Sequence, residues 1–248
     1  MIMSNTEFKC PLCLKMSTVL WETLLREGPS CLNCGSSVRM REIVSAFVGF
    51  VENQIASDAL IIGLSDSEQI EQYFNERFSE KYQNTYLDTE PKLNVVDPNS
   101  YQENLADVVI SSDVFEHVFF PLSDALVGCQ RILKPGGFLI TTMPWTTFEP
   151  SVEHYPWMVS YTVQKMSDGN FMVIGTDKSG SPRVVENPIF HGGPGNTLEM
   201  RFINLFVFQD ELVKAGFRLI STLLDDEPSY GIRRPEGRVG CIVAQCIK

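Results

Sequence analysis

Short apolar stretches alternate with amphipathic helical patterns along this chain, and the alternation restricts its fold more than any other feature. Strands are predicted at 59–63, 82–87, 93–96, 106–111 and 138–142, with helices at 38–51, 67–75 and 122–133. Strands that alternate with helices connect through right-handed crossovers, which produces a largely parallel sheet covered on both faces. The sequence therefore predicts an α/β fold.

The last hundred residues depart from this alternation in two ways. After a predicted helix at 210–215, strands at 217–223 and 240–246 are joined by a polar loop without a crossover helix, so they should pair antiparallel at a sheet edge. Residues 145–205 contain turns and short apolar stretches, which indicates a β-rich insertion or lid. It follows the carboxyl end of a strand, where open α/β sheets bind ligands.

Four cysteines near the N terminus form two C-x2-C pairs, Cys10 with Cys13 and Cys31 with Cys34. The 17 intervening residues (14–30) are enough for a hairpin that brings the pairs together. This spacing predicts a zinc ribbon, with iron in a rubredoxin-like site as the alternative. Four thiolates leave no open coordination position, so the metal would be structural.

The net charge also differs between the cysteine-bearing N-terminal part of the chain and the remainder. The formal net charge is −11, from 20 Lys+Arg and 31 Asp+Glu, but residues 1–50 carry five basic and four acidic residues. The remainder, at −12, disfavours binding to phosphate backbones, although Arg39 and Arg41 beside the cysteines leave an RNA partner as an alternative. We find no apolar run of membrane-spanning length and no basic, apolar leader at the start, so we expect a cytoplasmic protein without a membrane partner.

Two runs in the middle of the chain carry a family resemblance. They are Ala-Asp-Val-Val-Ile-Ser-Ser-Asp-Val-Phe-Glu-His-Val at 106–118, and the stretch at 125–144 that contains Arg-Ile-Leu-Lys-Pro-Gly-Gly. Together they resemble the class I S-adenosylmethionine (SAM)-dependent methyltransferases of the type 11-like group, in the subset with an N-terminal four-cysteine zinc ribbon. The resemblance implies a Rossmann-like, mostly parallel seven-stranded sheet with an antiparallel edge hairpin. It divides the chain into a ribbon (1–37), a connecting helix (38–57) and a methyltransferase domain (58–248) with the insertion at about 145–205.

The resemblance also implies which residues bind SAM. The family's glycine-rich turn corresponds to 62–67 here and keeps only Gly63, with Ser65 in place of a later glycine. An acid after the second strand, Asp88 or else Glu90, would hold the ribose hydroxyls, and Asp97 would meet the adenine amino group. Asp113 would line the methionine end of the cofactor, and Phe115 would pack near the adenine or the sulfonium.

The predicted activity is methyl transfer from SAM to a small molecule or sugar-type metabolite. Such a reaction mainly requires alignment and exclusion of water, and a hydroxyl acceptor also needs a base. Of three histidines, His117 in the family's Glu-His pair and His191 in a glycine-rich turn are the candidate catalytic residues. The reduced glycine motif leaves a non-catalytic interaction module as an alternative, while a nicotinamide-dependent enzyme is disfavoured because the later glycines are missing.

Overall fold

The computed structural model describes residues 5–28, 30–234 and 240–248. In this part of the chain the helices are α1 (Val38–Ala46), α2 (Glu68–Phe78), α3 (Leu122–Ile132) and α4 (Leu205–Lys214). The strands are β1 (Asn5–Lys9), β2 (Met16–Leu20), β3 (Ile61–Leu64), β4 (Tyr82–Thr85), β5 (Ala106–Ser112), β6 (Leu133–Thr142), β7 (Trp145–Thr146), β8 (Val152–Glu153), β9 (Met158–Lys165), β10 (Phe171–Asp177), β11 (Pro182–Val185), β12 (Phe190–His191), β13 (Thr197–Leu198), β14 (Arg201–Asn204), β15 (Phe217–Leu223) and β16 (Cys241–Cys246). No helix among these residues is long and apolar enough to cross a bilayer.

The central sheet has six strands in the order β15-β16-β6-β5-β3-β4. Strands β4, β3, β5 and β6 are parallel, whereas β16 is antiparallel to both of its neighbours. Side chains of β5 alternate between the two faces, with Val109 packed beside α3 and α4, and Val108 and Ile110 packed beside α1 and α2. The prediction of an α/β fold with an antiparallel β15–β16 pair is confirmed.

The predicted seventh strand at 93–96 is wrong for the described residues. Only a single parallel bridge, between Tyr86 and Lys92, forms beside β4. The reason is local, because Asn94 uses its backbone in a turn: its N–H donates to Ser100 Oγ, and its carbonyl accepts from Asp97 N and Ser100 Oγ. Backbone groups engaged in a turn are lost to a strand ladder, so the sheet ends in a loop at this edge.

The segment from β7 to β14 contains strands and turns but no helix. Strands β9, β10 and β11 form an antiparallel sheet, β7 and β8 flank β14, and β12 pairs with β13. The segment is fastened beyond the carboxyl end of β5, where Met200 N donates to Glu116 O at 2.7 Å and Arg201 donates to Phe115 O. It therefore covers the edge of the sheet at which α/β proteins bind ligands.

The N-terminal hairpin β1–β2 packs against the start of α1. Phe8 and Leu24 are fully buried with Val38, the first residue of α1, and with Ile232 from the β15–β16 connection. Ser37 caps α1 by accepting a hydrogen bond from Met40 N. The predicted polar loop before β16 includes residues 235–239, which lie outside the described residues.

Candidate functional site

The four cysteines predicted to bind a metal lie together. Their sulfur atoms are all within 4.8 Å of one another, with Cys10 Sγ 3.8 Å from Cys34 Sγ and Cys13 Sγ 3.7 Å from Cys31 Sγ. Four sulfurs placed tetrahedrally at a Zn–S distance of about 2.3 Å lie about 3.8 Å apart. Their spacing thus fits a tetrahedral metal, and Ser36 and Ser17 place their hydroxyls 3.4 Å and 3.5 Å from the sulfurs of Cys10 and Cys31.

Arg41 lies buried beside this cysteine cluster. It donates to Ser36 O at 2.7 Å, Ser30 Oγ at 3.0 Å and Gly231 O at 2.7 Å, and it stacks over Phe8. Burial lowers the pKa of its guanidinium, although the cysteine thiols oppose that shift. Its charge would offset that of four metal-bound thiolates, and a side chain that is 0% exposed is not available to bind RNA.

Two further arginines from the N-terminal segment reach the carboxyl end of β5. Arg26 forms a bidentate ion pair with Asp113, and Arg39 Nε lies 3.2 Å from Asp113 Oδ2. Arg39 also donates to Ser112 Oγ at 2.6 Å and to Glu27 at 2.9 Å. Burial alone would raise the pKa of Asp113, but the two arginines outweigh it and lower the pKa, so this carboxylate stays ionised.

Two adjoining cavities open where β3, β4 and β5 end, at the point where the strand order reverses. The apolar cavity, about 160 Å³, is lined by Leu64, Ser65, Thr85, Leu87, Leu93, Asn94, Val95, Val96, Val114, His117, Val118 and Phe119. The polar cavity, about 400 Å³, is lined by Arg39, Ser65, Ser67, Ser112, Asp113, His117, His191, Gly192, Asn196 and Thr197. The shared residues Ser65 and His117 make them one elongated site.

The turn after β3 lies between the cavities. Its geometry explains why this chain needs only one glycine where the family's turn has several. A Cβ on Gly63 would lie 2.3 Å from Asp66 Oδ2 and 2.6 Å from the Tyr82 hydroxyl, so this position requires glycine. Ser65 takes the left-handed conformation, φ 56°, that a family glycine would adopt. Asn84 clamps Asp66 by accepting from its N–H at 2.9 Å and donating to its carbonyl at 3.0 Å.

The polar cavity has features that fit the amino-acid end of SAM. Ser67 precedes α2, and its Oγ is buried without a hydrogen-bond partner among the described residues. Backbone N–H groups at the start of a helix attract a carboxylate, and an orphaned hydroxyl there is completed by a ligand. Asp113, like Ser65, has a left-handed backbone, with φ 57°, and such outliers concentrate at binding sites.

The acidic residues predicted to hold adenosine lie elsewhere. Asp88 is exposed, and Asp97 accepts a hydrogen bond from Asn99 N at 3.0 Å in its own turn; neither is among the residues that line these two cavities. Phe115 is fully buried against Phe208, beneath the site. The apolar cavity is also lined by Asn94 and Thr85, two polar residues that follow no recognisable sequence signal.

Glu116, His117 and His191 meet at the shared end of the two cavities. His191 Nδ1 is 3.2 Å and His117 Nε2 is 3.8 Å from Glu116 Oε1, and neither contact has the alignment of a hydrogen bond. Burial and repulsion by Asp113 raise the pKa of Glu116. The adjacent carboxyl group of Glu116 raises the pKa of His191, although burial of the imidazole acts in the opposite direction. The structure thus brings the two predicted catalytic histidines together around the buried carboxyl group of Glu116, which the sequence indicated only as a member of the Glu-His pair.

Comparison with known proteins bears on this site. Residues 50–141 match the family model described as a methyltransferase domain. Among solved structures, an S-adenosylmethionine-dependent methyltransferase from Clostridium acetobutylicum ATCC 824 has a TM-score of 0.50 and 10% identity, covering 85% of this chain and 92% of its own. The CurJ carbon methyltransferase also has a TM-score of 0.50, with 13% identity, covering 86% of this chain and 56% of its own.

A more distant structure is the sugar N-methyltransferase KedS8 from Streptoalloteichus sp ATCC 53650, with a TM-score of 0.48, 13% identity and coverage of 84% of this chain and 87% of its own. A search of curated proteins found no match. The family match spans β3, β4, β5 and most of β6, which are the strands that form the cavities. The match at residues 50–141 and the shared fold indicate an enzyme with a methyltransferase domain, and the four clustered cysteines near the N terminus fit a zinc-ribbon-like segment.

Proposed function

We propose that this enzyme transfers the methyl group of SAM to a small-molecule acceptor, with sugar-type metabolites as the leading class. The observation that supports this most directly is the elongated site, apolar at one end and charged at the other, at the carboxyl ends of β3, β4 and β5. A nucleoside joined to a zwitterionic amino acid has the same division of polarity. When bound, SAM supplies an already activated methyl group.

In this proposal the adenosyl group occupies the apolar cavity, between side chains such as Leu87 and Val96, with Asn94 available for its polar atoms. The amino-acid end faces Ser65 and Ser67 in the polar cavity. The predicted ribose and adenine ligands Asp88 and Asp97 are not carried into this arrangement, because neither lines the site. Gly63 and Ser65 keep the role that the resemblance implied, through the shape of the turn.

The acceptor's reacting end is assigned to His117 and His191. Both line the polar cavity, and His191 is held beside Glu116 by the β12–β13 turn that covers the site. For a hydroxyl acceptor, the oxygen would lose its proton to His191 as the new oxygen–carbon bond forms and the bond from the methyl carbon to the sulfonium sulfur breaks, with S-adenosylhomocysteine as the leaving group. The β12–β13 turn lies over the polar cavity, where it helps to keep the two reactants aligned.

A small acceptor is favoured over RNA by where the arginines lie. Arg41 is buried beside the cysteines, and Arg39 is engaged with Glu27, Ser112 and Asp113. The residues after position 50 carry a charge of −12. A phosphate backbone would therefore find little free positive charge at this site.

The test begins with calorimetry of S-adenosylhomocysteine, the demethylated product, binding to the folded protein. Binding of one equivalent is expected, and its absence would favour the non-catalytic interaction module. A screen of sugar and metabolite acceptors with isotopically labelled SAM then identifies the acceptor class. His191→Asn should retain product binding and lose most turnover, with His154→Asn as the matched control because His154 lies outside the polar cavity. RNA that competes for the site with a steep salt dependence would refute the small-molecule assignment.

A further inference from the structure

We propose that Glu116, His117 and His191 form a second metal site, which binds a divalent transition-metal cation beside the methyl acceptor. Each residue offers one ligand atom, and these three atoms lie within 4.8 Å of one another. The site is separate from the four cysteines, because its ligands follow β5 and belong to β12, whereas the cysteines belong to the N-terminal segment. Two imidazoles and one carboxylate are a ligand set typical of Zn²⁺, Fe²⁺ and related ions.

The spacing of the ligand atoms suits one ion. Ligands about 2.1 Å from a common ion lie about 3.0 to 4.2 Å apart for angles of 90° to 180°. The separations of His191 Nδ1 and His117 Nε2 from Glu116 Oε1 are 3.2 Å and 3.8 Å. The remaining pair is at most 4.8 Å apart, so a small rotation of one imidazole closes the set.

The carboxyl group of Glu116 faces the two imidazoles without a well-aligned hydrogen bond to either of them. Its side chain is 0% exposed, and neither oxygen accepts a hydrogen bond from the described part of the chain. An ionised carboxylate buried without a partner is strongly unfavourable, so buried carboxylates are protonated, paired or bound to metal. A cation between the carboxylate and the two imidazoles would supply the missing charge and ligand contacts.

The imidazole of His117 has an outer hydrogen-bond partner of the kind that metal-bound histidines have, and a carboxylate lies near the outer nitrogen of His191. His117 Nδ1 donates to Leu198 O at 2.9 Å, which leaves Nε2 with its lone pair toward Glu116. His191 Nε2 lies 4.0 Å from Asp113 Oδ2, so Nδ1 is the nitrogen that faces Glu116. Such outer carbonyls and carboxylates fix the tautomer and orient the ring of a metal ligand.

An ion held by these three ligands would keep coordination positions free on the side of the polar cavity. The metal site rests on the proposed function and extends it, because the ion would bind the methyl acceptor. An acceptor with two adjacent oxygens, such as a vicinal diol of a sugar, would complete the coordination. A hydroxyl bound to a divalent cation releases its proton more readily, in this case to bulk water through the open cavity. In the cation-loaded enzyme His191 is a ligand, so the base role proposed above applies to the cation-free state alone.

The experiment uses the full chain with one equivalent of Zn²⁺ at the cysteines, titrated with Co²⁺ and followed by calorimetry and visible absorption. We expect one further equivalent of Co²⁺, with the weak bands of nitrogen and oxygen ligands and without the intense thiolate-to-cobalt band. Removing one ligand in His191→Ala or Glu116→Gln should weaken Co²⁺ binding by at least about 10-fold. Circular dichroism and retained zinc show that each variant is folded.

The matched control is His154→Ala, which removes a histidine that pairs instead with Glu199. This variant should bind the second equivalent as the wild type does. The proposal is overturned if zinc-loaded wild type binds no Co²⁺, or if the His191 and His154 variants lose binding equally. Product binding is measured in the same samples without Co²⁺, so its loss counts against the methyltransferase proposal and leaves the metal result to be judged separately.

Discussion

The ion pair between Arg26 and Asp113 joins the cysteine-bearing segment to the candidate active site, and its removal has a predictable size. The side chains are 12% and 6% exposed, so the pair is largely desolvated. Removing one partner of a buried pair costs about 3–5 kcal/mol because the other charge is left uncompensated. In Arg26→Gln, however, Asp113 still has Arg39 at 3.2 Å.

We therefore expect Arg26→Gln to lower the free energy of unfolding by about 2–3 kcal/mol, somewhat less than the full cost of an unpaired charge. For a chain of this size that corresponds to a fall of about 4–12 °C in the melting temperature. Urea unfolding and calorimetry of the zinc-loaded protein measure both quantities. Arg77→Gln is the matched control, because the Arg77–Glu52 pair is 39% and 29% exposed and should contribute at most about 1 kcal/mol.

A double-mutant cycle with Arg26→Gln and Asp113→Asn isolates the pair itself. The expected coupling energy is above about 1.5 kcal/mol, in the range of hydrogen bonds to charged groups. The lowered pKa of Asp113 means that its contribution is present at neutral pH and is lost as the pH falls through that depressed pKa. Equal destabilisation by Arg26→Gln and Arg77→Gln, or a coupling energy near zero, would show that this contact does not secure the segment.

Three further changes test other parts of the structure. Gly128→Ala would place a Cβ 1.7 Å from Val95 O, so it should displace the apolar-cavity wall and weaken product binding in calorimetry, whereas Gly49→Ala meets open space and should not. Burial raises the pKa of Asp66 to about 7, so wild-type stability should decline from about pH 4 to 7 as the unfolded carboxyl ionises first. Asp66→Asn should flatten that decline in urea titrations while the exposed Asp58→Asn leaves it unchanged. Chelation of the ribbon metal should lower the melting temperature and weaken product binding together, since the same segment carries the arginines that reach the polar cavity; unchanged product binding would contradict this link.

The sequence predicted those features that depend on neighbours in the chain. Alternation of strand and helix patterns was sufficient for the α/β fold, and the spacing of apolar residues located α1 and β15 to within a few residues. The lack of a crossover helix before β16 correctly predicted its antiparallel pairing. The C-x2-C spacing brought the four cysteines together because each pair occupies a single tight turn.

The strand predicted at 93–96 failed because a local turn around Asn94 used the backbone groups that a ladder needs. The acids at the strand ends, Asp88 and Asp97, lie away from the two cavities, because a position next to a strand does not determine which way the following loop turns. Asp88 therefore points to solvent, while Leu87 beside it lines the apolar cavity.

The pairing of distant residues was decided by tertiary structure alone. Whether Arg39 and Arg41 faced solvent or the interior depended on how the hairpin packed against α1, and both were drawn inward by groups far along the chain, at Ser112 and Gly231. Glu116 and His191 met only because the β12–β13 turn folds back over the end of β5. Sequence periodicity records which residues are apolar, whereas the charges and ligand atoms that share a buried site are set by packing between elements that no local pattern relates.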